Sequence, residues 1–113
     1  MRLLVCGGRG FSDTERVYST LDRLKRECVI DAIIEGDARG ADRIAGYWAR
    51  RNRIDNIKFP ADWTRDGRAA GPRRNERMLR EGKPDAVLAF PGGKGTAHMK
   101  QIAQRAGIPV IEG

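Results

Sequence analysis

The sequence predicts an α/β fold, a three-layer sandwich around a parallel sheet of about five strands. Two observations carry that reading. Short apolar runs alternate along the 113 residues with amphipathic stretches of helical period, the pattern of βαβ units. Several of those runs also end directly in glycine clusters, where strands of a parallel sheet turn into helices.

In order, Arg2 to Cys6 reads as a first strand buried on both faces. Ser12 opens a helix, with Glu15 completing a capping box. Val17, Leu21, Leu24 and Cys28 form its buried stripe. Val29 to Ile34 is the second strand, ending at Glu35 and Gly36. A second helix starts near Gly40 to Asp42, runs to about Asn52 and buries Ala41, Ile44, Ala45 and Trp48. Ile54 to Phe59 is a weaker third strand stopped by Pro60, and Ala61 to Ala70 reads as irregular. Pro72 suits the first position of a third helix carrying Met78 and Leu79, which Gly82 and Pro84 end. Asp85 to Phe90 is the fourth strand, Pro91 to Gly95 a glycine turn, Thr96 to Ala106 a fourth helix and Ile108 to Ile111 a last strand. With right-handed crossovers these elements make one Rossmann-like domain over residues 1–113.

Composition narrows the function classes. No stretch reaches the roughly 18 apolar residues of a membrane span, and the start is too short an apolar run for a signal peptide, so a cytoplasmic location is expected. Cys6 and Cys28 lack metal or redox spacing and read as small buried hydrophobes; one histidine, His98, rules out a His-rich metal site. No cofactor is expected. Lys and Arg outnumber Asp and Glu 22 to 15, a net charge of +7 that predicts an anionic partner.

In an open parallel sheet, ligands sit beyond the carboxyl ends of the strands, where strand order reverses. Gly7, Gly8 and Gly10, then Gly36 and Gly40, then Gly92, Gly93 and Gly95 all fall at that edge. Glycines let main-chain amides approach a ligand, and a following helix N-terminus attracts anions. Pro91, Gly92, Gly93, Lys94, Gly95 and Thr96 make the best candidate phosphate cradle. Neither the P-loop nor the dinucleotide fingerprint fits: Gly95 follows Lys94, and Asp13 stands where a third glycine belongs.

Around these glycines, Asp42 fits either a ribose contact or the favoured acid of a first helical turn. Arg39, between glycines with no core to join, points to a phosphate or ribose. Trp63 fits stacking on a base or plugging its loop onto the fold. Arg73, Arg74 and Arg77 stand early in their helix, where bases oppose the dipole and suggest a nearby anion, with a solvated face as the alternative for Arg77. Arg50, Arg51 and Arg53 close the second helix and need no ligand. His98 fits a solvent-facing position, with an acid–base role as the alternative.

The same residues resemble the SLOG superfamily, and within it the DUF2493 or YspA (cpYpsA-related) family. The matching pieces are Gly7–Asp13, Gly36–Asp42, Pro60–Trp63, Gly71–Asn75 with Met78, and Phe90–Thr96. The resemblance implies a Rossmann-like fold that senses or sequesters a nucleotide-derived ligand, in proteins of bacteria and their phages. Its ligand-binding set here would comprise Gly7, Gly8, Arg9, Phe11, Gly36, Arg39, Gly40, Asp42, Asp62, Trp63, Arg74, Asn75 and the Pro91–Thr96 turn. A homodimer is compatible with it, since superfamily members often pair.

More distantly the chain is similar to Lonely-Guy-type phosphoribohydrolases, which share the Pro-Gly-Gly-x-Gly-Thr turn and an arginine matched by Arg74. They carry glutamates just after the turn, where this chain has His98 and Met99. Cleaving an N-glycosidic bond calls for a carboxylate, so a binding module is expected rather than an enzyme. An enzyme would have to use Arg74 with Asp62 or Asp42. Single-stranded nucleic acid is a third candidate ligand, less favoured because only Phe11, Tyr47 and Trp63 offer stacking surfaces.

Overall fold

The computed structural model describes residues 1–113. Five strands form one sheet: β1 (Arg2–Cys6), β2 (Ala32–Glu35), β3 (Asp55–Lys58), β4 (Ala86–Ala89) and β5 (Val110–Glu112). All pairings are parallel and the order is β3-β2-β1-β4-β5. The chain steps outward from β1 through β2 to β3, then returns to β4 on the other side of β1. Strand order therefore reverses at β1, and a crevice opens between the carboxyl ends of β1 and β4.

The strand pleat sends alternate residues to two cores. Leu3, Val5, Ile33, Leu88 and Phe90 face α1 (Thr14–Glu27) and α2 (Ala41–Arg51), meeting Val17, Leu21, Leu24, Ala45 and Trp48. Leu4, Cys6, Ile34, Val87 and Ala89 face the other way. There they meet Met78 of α4 (Ala70–Gly82), and Met99 and Ala103 of α5 (Lys94–Arg105). This is the three-layer sandwich the sequence predicts. Trp48 is a core residue whose indole Nε1 donates to Asp22 Oδ1 at 2.8 Å, tying α2 to α1.

Local chemistry corrects several boundaries. Asp13, not Ser12, caps α1: its carboxylate accepts from Arg16 N at 3.0 Å, a stronger cap than the expected box through Glu15. β2 begins at Ala32 rather than Val29, which is 74% exposed and outside the ladder. Ile44 is half-buried rather than core. The stretch read as irregular is helical, with α3 (Trp63–Asp66) capped by Asp62 and a 3₁₀ turn (Gly67–Ala69) leading into α4. Asp66 organises that stretch, pairing with Arg65 at 3.0 Å and with Arg73 at 2.8 Å. The glycine turn is shorter than expected, because α5 already starts at Lys94. No helix is long and apolar enough to cross a membrane.

Candidate functional site

The turns after β1, β2 and β4 pack directly on one another. Gly8 N donates to Pro91 O at 2.9 Å, joining the first turn to the last. Gly40, at φ 84° before α2, lies so close to Gly8 O that a Cβ there would overlap it. A Cβ on Gly7 would stand 2.6 Å from the Ala41 Cβ, and one on Gly92 would be 2.7 Å from Gly8 N and overlap the Thr96 hydroxyl. These glycines are thus required by the close packing of the turns on neighbouring main-chain and side-chain atoms. Gly93 and Gly95 differ: nothing lies within 4 Å of their Cβ positions. They leave the first turn of α5 open, where the amides of Lys94, Gly95 and Thr96 precede the first helical bond, Ala97 N to Gly93 O.

That turn borders a hollow of about 540 Å³, within the roughly 300–1,000 Å³ range of small-molecule sites. Of the residues singled out from the sequence, Gly7, Gly8, Arg9, Asp42, Trp63, Arg74, Asn75, Gly93, Lys94, Gly95 and Thr96 line it. Gly36 and Arg39 line an adjoining hollow of about 310 Å³ instead. Phe11 lies against Phe90 with ring centroids 5.3 Å apart, and Asp62 caps α3. Gly40, Pro91 and Gly92 line neither hollow and act in joining the turns.

Asp42 and Arg74 set the electrostatics. Asp42 is 5% exposed and accepts from Gly36 N at 3.1 Å and Ala38 N at 3.4 Å. Burial pushes its carboxyl up to about 7 despite the opposing pull of the Arg74 guanidinium, with Glu35 adding to the rise. Arg74 donates from Nη1 to Gly36 O at 2.6 Å and from Nε to Asn75 Oδ1 at 3.0 Å. Burial lowers its pKa, and Asp42 counters the fall. Cys6 at the base of the hollow is pushed up to about 12, chiefly by burial and then by Asp42, so the thiol stays protonated. Glu35 is also raised by burial, opposed by hydrogen bonds from Asn56 and Asp37 N.

Asn75 links the two sides of the hollow. Its Nδ2 donates to Gly95 O at 3.2 Å and lies 3.1 Å from His98 Nδ1. Because Oδ1 accepts from Arg74 Nε, the amide orientation is fixed and His98 Nδ1 is the acceptor. A neutral His98 therefore carries its proton on Nε2. Sequence reasoning favoured a solvent-facing His98; the structure half-buries it on the wall. Arg68, Gly71 and Pro72 also belong to the wall, and the sequence does not show this because the helical form of residues 63–69 is not legible in it; Ala38 of the β2–α2 connection carries no signal of its own. Arg73 and Arg77 line neither hollow: Arg73 pairs with Asp66, and Arg77 with Glu81 at 3.2 Å.

Fold and crevice together define a Rossmann-like α/β domain with an arginine-bearing hollow at the point where strand order reverses. The chain belongs to the YspA, cpYpsA-related SLOG family, whose model matches residues 1–65. It is 42% identical over 118 aligned positions to the Gene 61 protein of Mycobacterium phage D29, covering 97% of this chain and 94% of that protein. No solved structure matches the chain.

Proposed function

We propose that this protein binds a phosphate-bearing, nucleotide-like ligand in the 540 Å³ hollow, as a sensing or sequestering module. One observation carries the reading: the open first turn of α5 borders the same space as Arg74, Asp42 and the half-exposed Trp63. The ligand's phosphate takes the free amides of Lys94, Gly95 and Thr96, with Lys94 alongside. Arg74, anchored at two points, supplies a fixed positive charge, and Trp63 offers a face for a base. Membership of the SLOG family supports a nucleotide-derived ligand.

Thermal unfolding in the presence of mononucleotides tests this. A ligand at a hundred times its Kd stabilises the native state by about 2.7 kcal/mol, raising Tm on the order of 10 °C in a domain this small. A Tm unmoved by every nucleotide tried would overturn the reading.

Asp42 favours a second reading, an N-glycosidase acting on a nucleoside monophosphate. A carboxyl pushed up to about 7 in the hollow is suited to protonate a leaving base. Asp62, the other carboxylate considered, is occupied in capping α3. Release of free base from a bound monophosphate would establish turnover; binding without release leaves the module as a receptor.

A further inference from the structure

The second hollow, about 310 Å³, shares Arg9, Ala38, Trp63 and Arg74 with the first. The Arg9 guanidinium stacks over Trp63 at 4.9 Å from the ring centroid, so a stacked pair stands in the wall between them. On the far side, Arg39 and Arg43 join Arg9 and Arg74, giving four arginines against one carboxylate, Asp37. Asp37 is already shared, 3.6 Å from Arg43 and 3.6 Å from Lys58. Neither Arg9 nor Arg39 forms an ion pair with any carboxylate of the chain. A single phosphate on the first turn of α5 leaves this second concentration of charge unanswered.

We infer that the second hollow is a separate anion site, so that the ligand carries two phosphoryl groups at different ends, as a nucleoside 3′,5′-bisphosphate does. The inference rests on the proposed nucleotide pocket. One phosphoryl group lies on the α5 turn, the nucleoside passes the Arg9–Trp63 stack, and the second meets Arg39 and Arg43. Arginine suits this end, since its planar fork takes two phosphate oxygens at once. Arg74 touches both hollows and is held on Gly36 O, so it lies between the two charges.

Calorimetric titration with adenosine 5′-monophosphate, adenosine 3′-monophosphate and adenosine 3′,5′-bisphosphate tests the assignment. The bisphosphate is expected to bind about tenfold or more tighter than either monophosphate. The exposed double substitution Arg39→Ser/Arg43→Ser should bring that ratio to about one. In parallel, inorganic phosphate titrated against the labelled protein should move two sets of NMR resonances with separate midpoints. One set is the amides of Gly93–Thr96, the other the Nε groups of Arg39 and Arg43.

Monophosphates that bind as tightly as the bisphosphate, with one responding set, would overturn this inference and leave the pocket standing. If no nucleotide and no phosphate binds, both fall. Tighter binding of an oligothymidylate, with a salt dependence corresponding to more than two phosphates, would replace both with a nucleic-acid surface.

Discussion

Arg74 and Asp42 grip the same residue from opposite ends: Arg74 Nη1 donates to Gly36 O at 2.6 Å, while Asp42 Oδ2 accepts from Gly36 N at 3.1 Å. No Cβ fits between them, since one on Gly36 would stand 2.5 Å from Nη1 and 2.9 Å from Oδ2. The end of β2 thereby fixes a cation and a carboxyl beside the crevice.

Asp42 should make stability, and binding of the proposed ligand, depend on pH. Its folded value, about 7, lies above the ordinary 3.8, so ionising it opposes folding. The penalty is absent below about pH 4, grows as pH rises toward 7 and is complete above it, reaching at most about 4 kcal/mol. Asp42→Asn should flatten this part of the curve, so the variant gains Tm relative to the parent between about pH 5 and pH 8. An anionic ligand should also lose affinity above pH 7 in the parent more than in the variant. Parallel Tm profiles would refute the linkage.

Gly92 and Gly93, adjacent in sequence, should behave oppositely. Gly92→Ala drives a methyl against Gly8 N and the Thr96 hydroxyl, and is expected to lose roughly 1–3 kcal/mol in chemical denaturation. Gly93→Asp meets open space at a negative φ and supplies a good N-cap for α5, so Tm should hold or rise slightly. The same carboxylate repels a phosphate, and titration should show binding abolished. Retained affinity in Gly93→Asp would remove the α5 turn from the site.

Arg74→Ala leaves Gly36 O and Asn75 Oδ1 without a donor and removes the positive neighbour of Asp42. A loss of about 1–3 kcal/mol in urea unfolding is expected, together with loss of nucleotide binding. Arg74→Lys should restore part of the stability and little of the binding, because an ammonium group cannot reproduce the two-point fork. Equal affinity in the lysine variant would show that only charge matters.

The two tryptophans give separable signals. Trp63 is 49% exposed on the wall of the hollow, whereas Trp48 is 1% exposed in the core. Ligand binding should change Trp63 emission alone. Trp63→Ala should abolish that change and weaken binding by about 1–3 kcal/mol if a base stacks there. A ligand-induced change that survives in Trp63→Ala would place the base elsewhere.

Much of this architecture was legible in the chain because its signals are local. Leu3–Cys6 is an uninterrupted apolar run, and Val17, Leu21 and Leu24 repeat at helical spacing, so sheet and helices follow from periodicity. The Pro91–Thr96 turn announces itself by composition. The α3 segment does not: its four residues hold no apolar stripe, and it is fixed by Asp62 and by the Asp66–Arg73 pair. The wall position of His98 depends on Asn75 of another helix, a contact with no trace in local sequence. Composition likewise could not separate glycines that pack turn on turn from Gly93 and Gly95, which face open space.

The interlocked glycines have a consequence for how such a protein diversifies. With Gly7, Gly40 and Gly92 wedged against neighbouring main-chain and side-chain atoms, the joint between the turns behaves as a keystone that resists replacement. Under the proposed function, selectivity would then be rewritten from the rim, where Arg9, Arg39, Trp63, Arg68 and Lys94 stand exposed. On that reading a lineage could exchange those outer side chains, and with them the ligand, while the scaffold beneath stays the same.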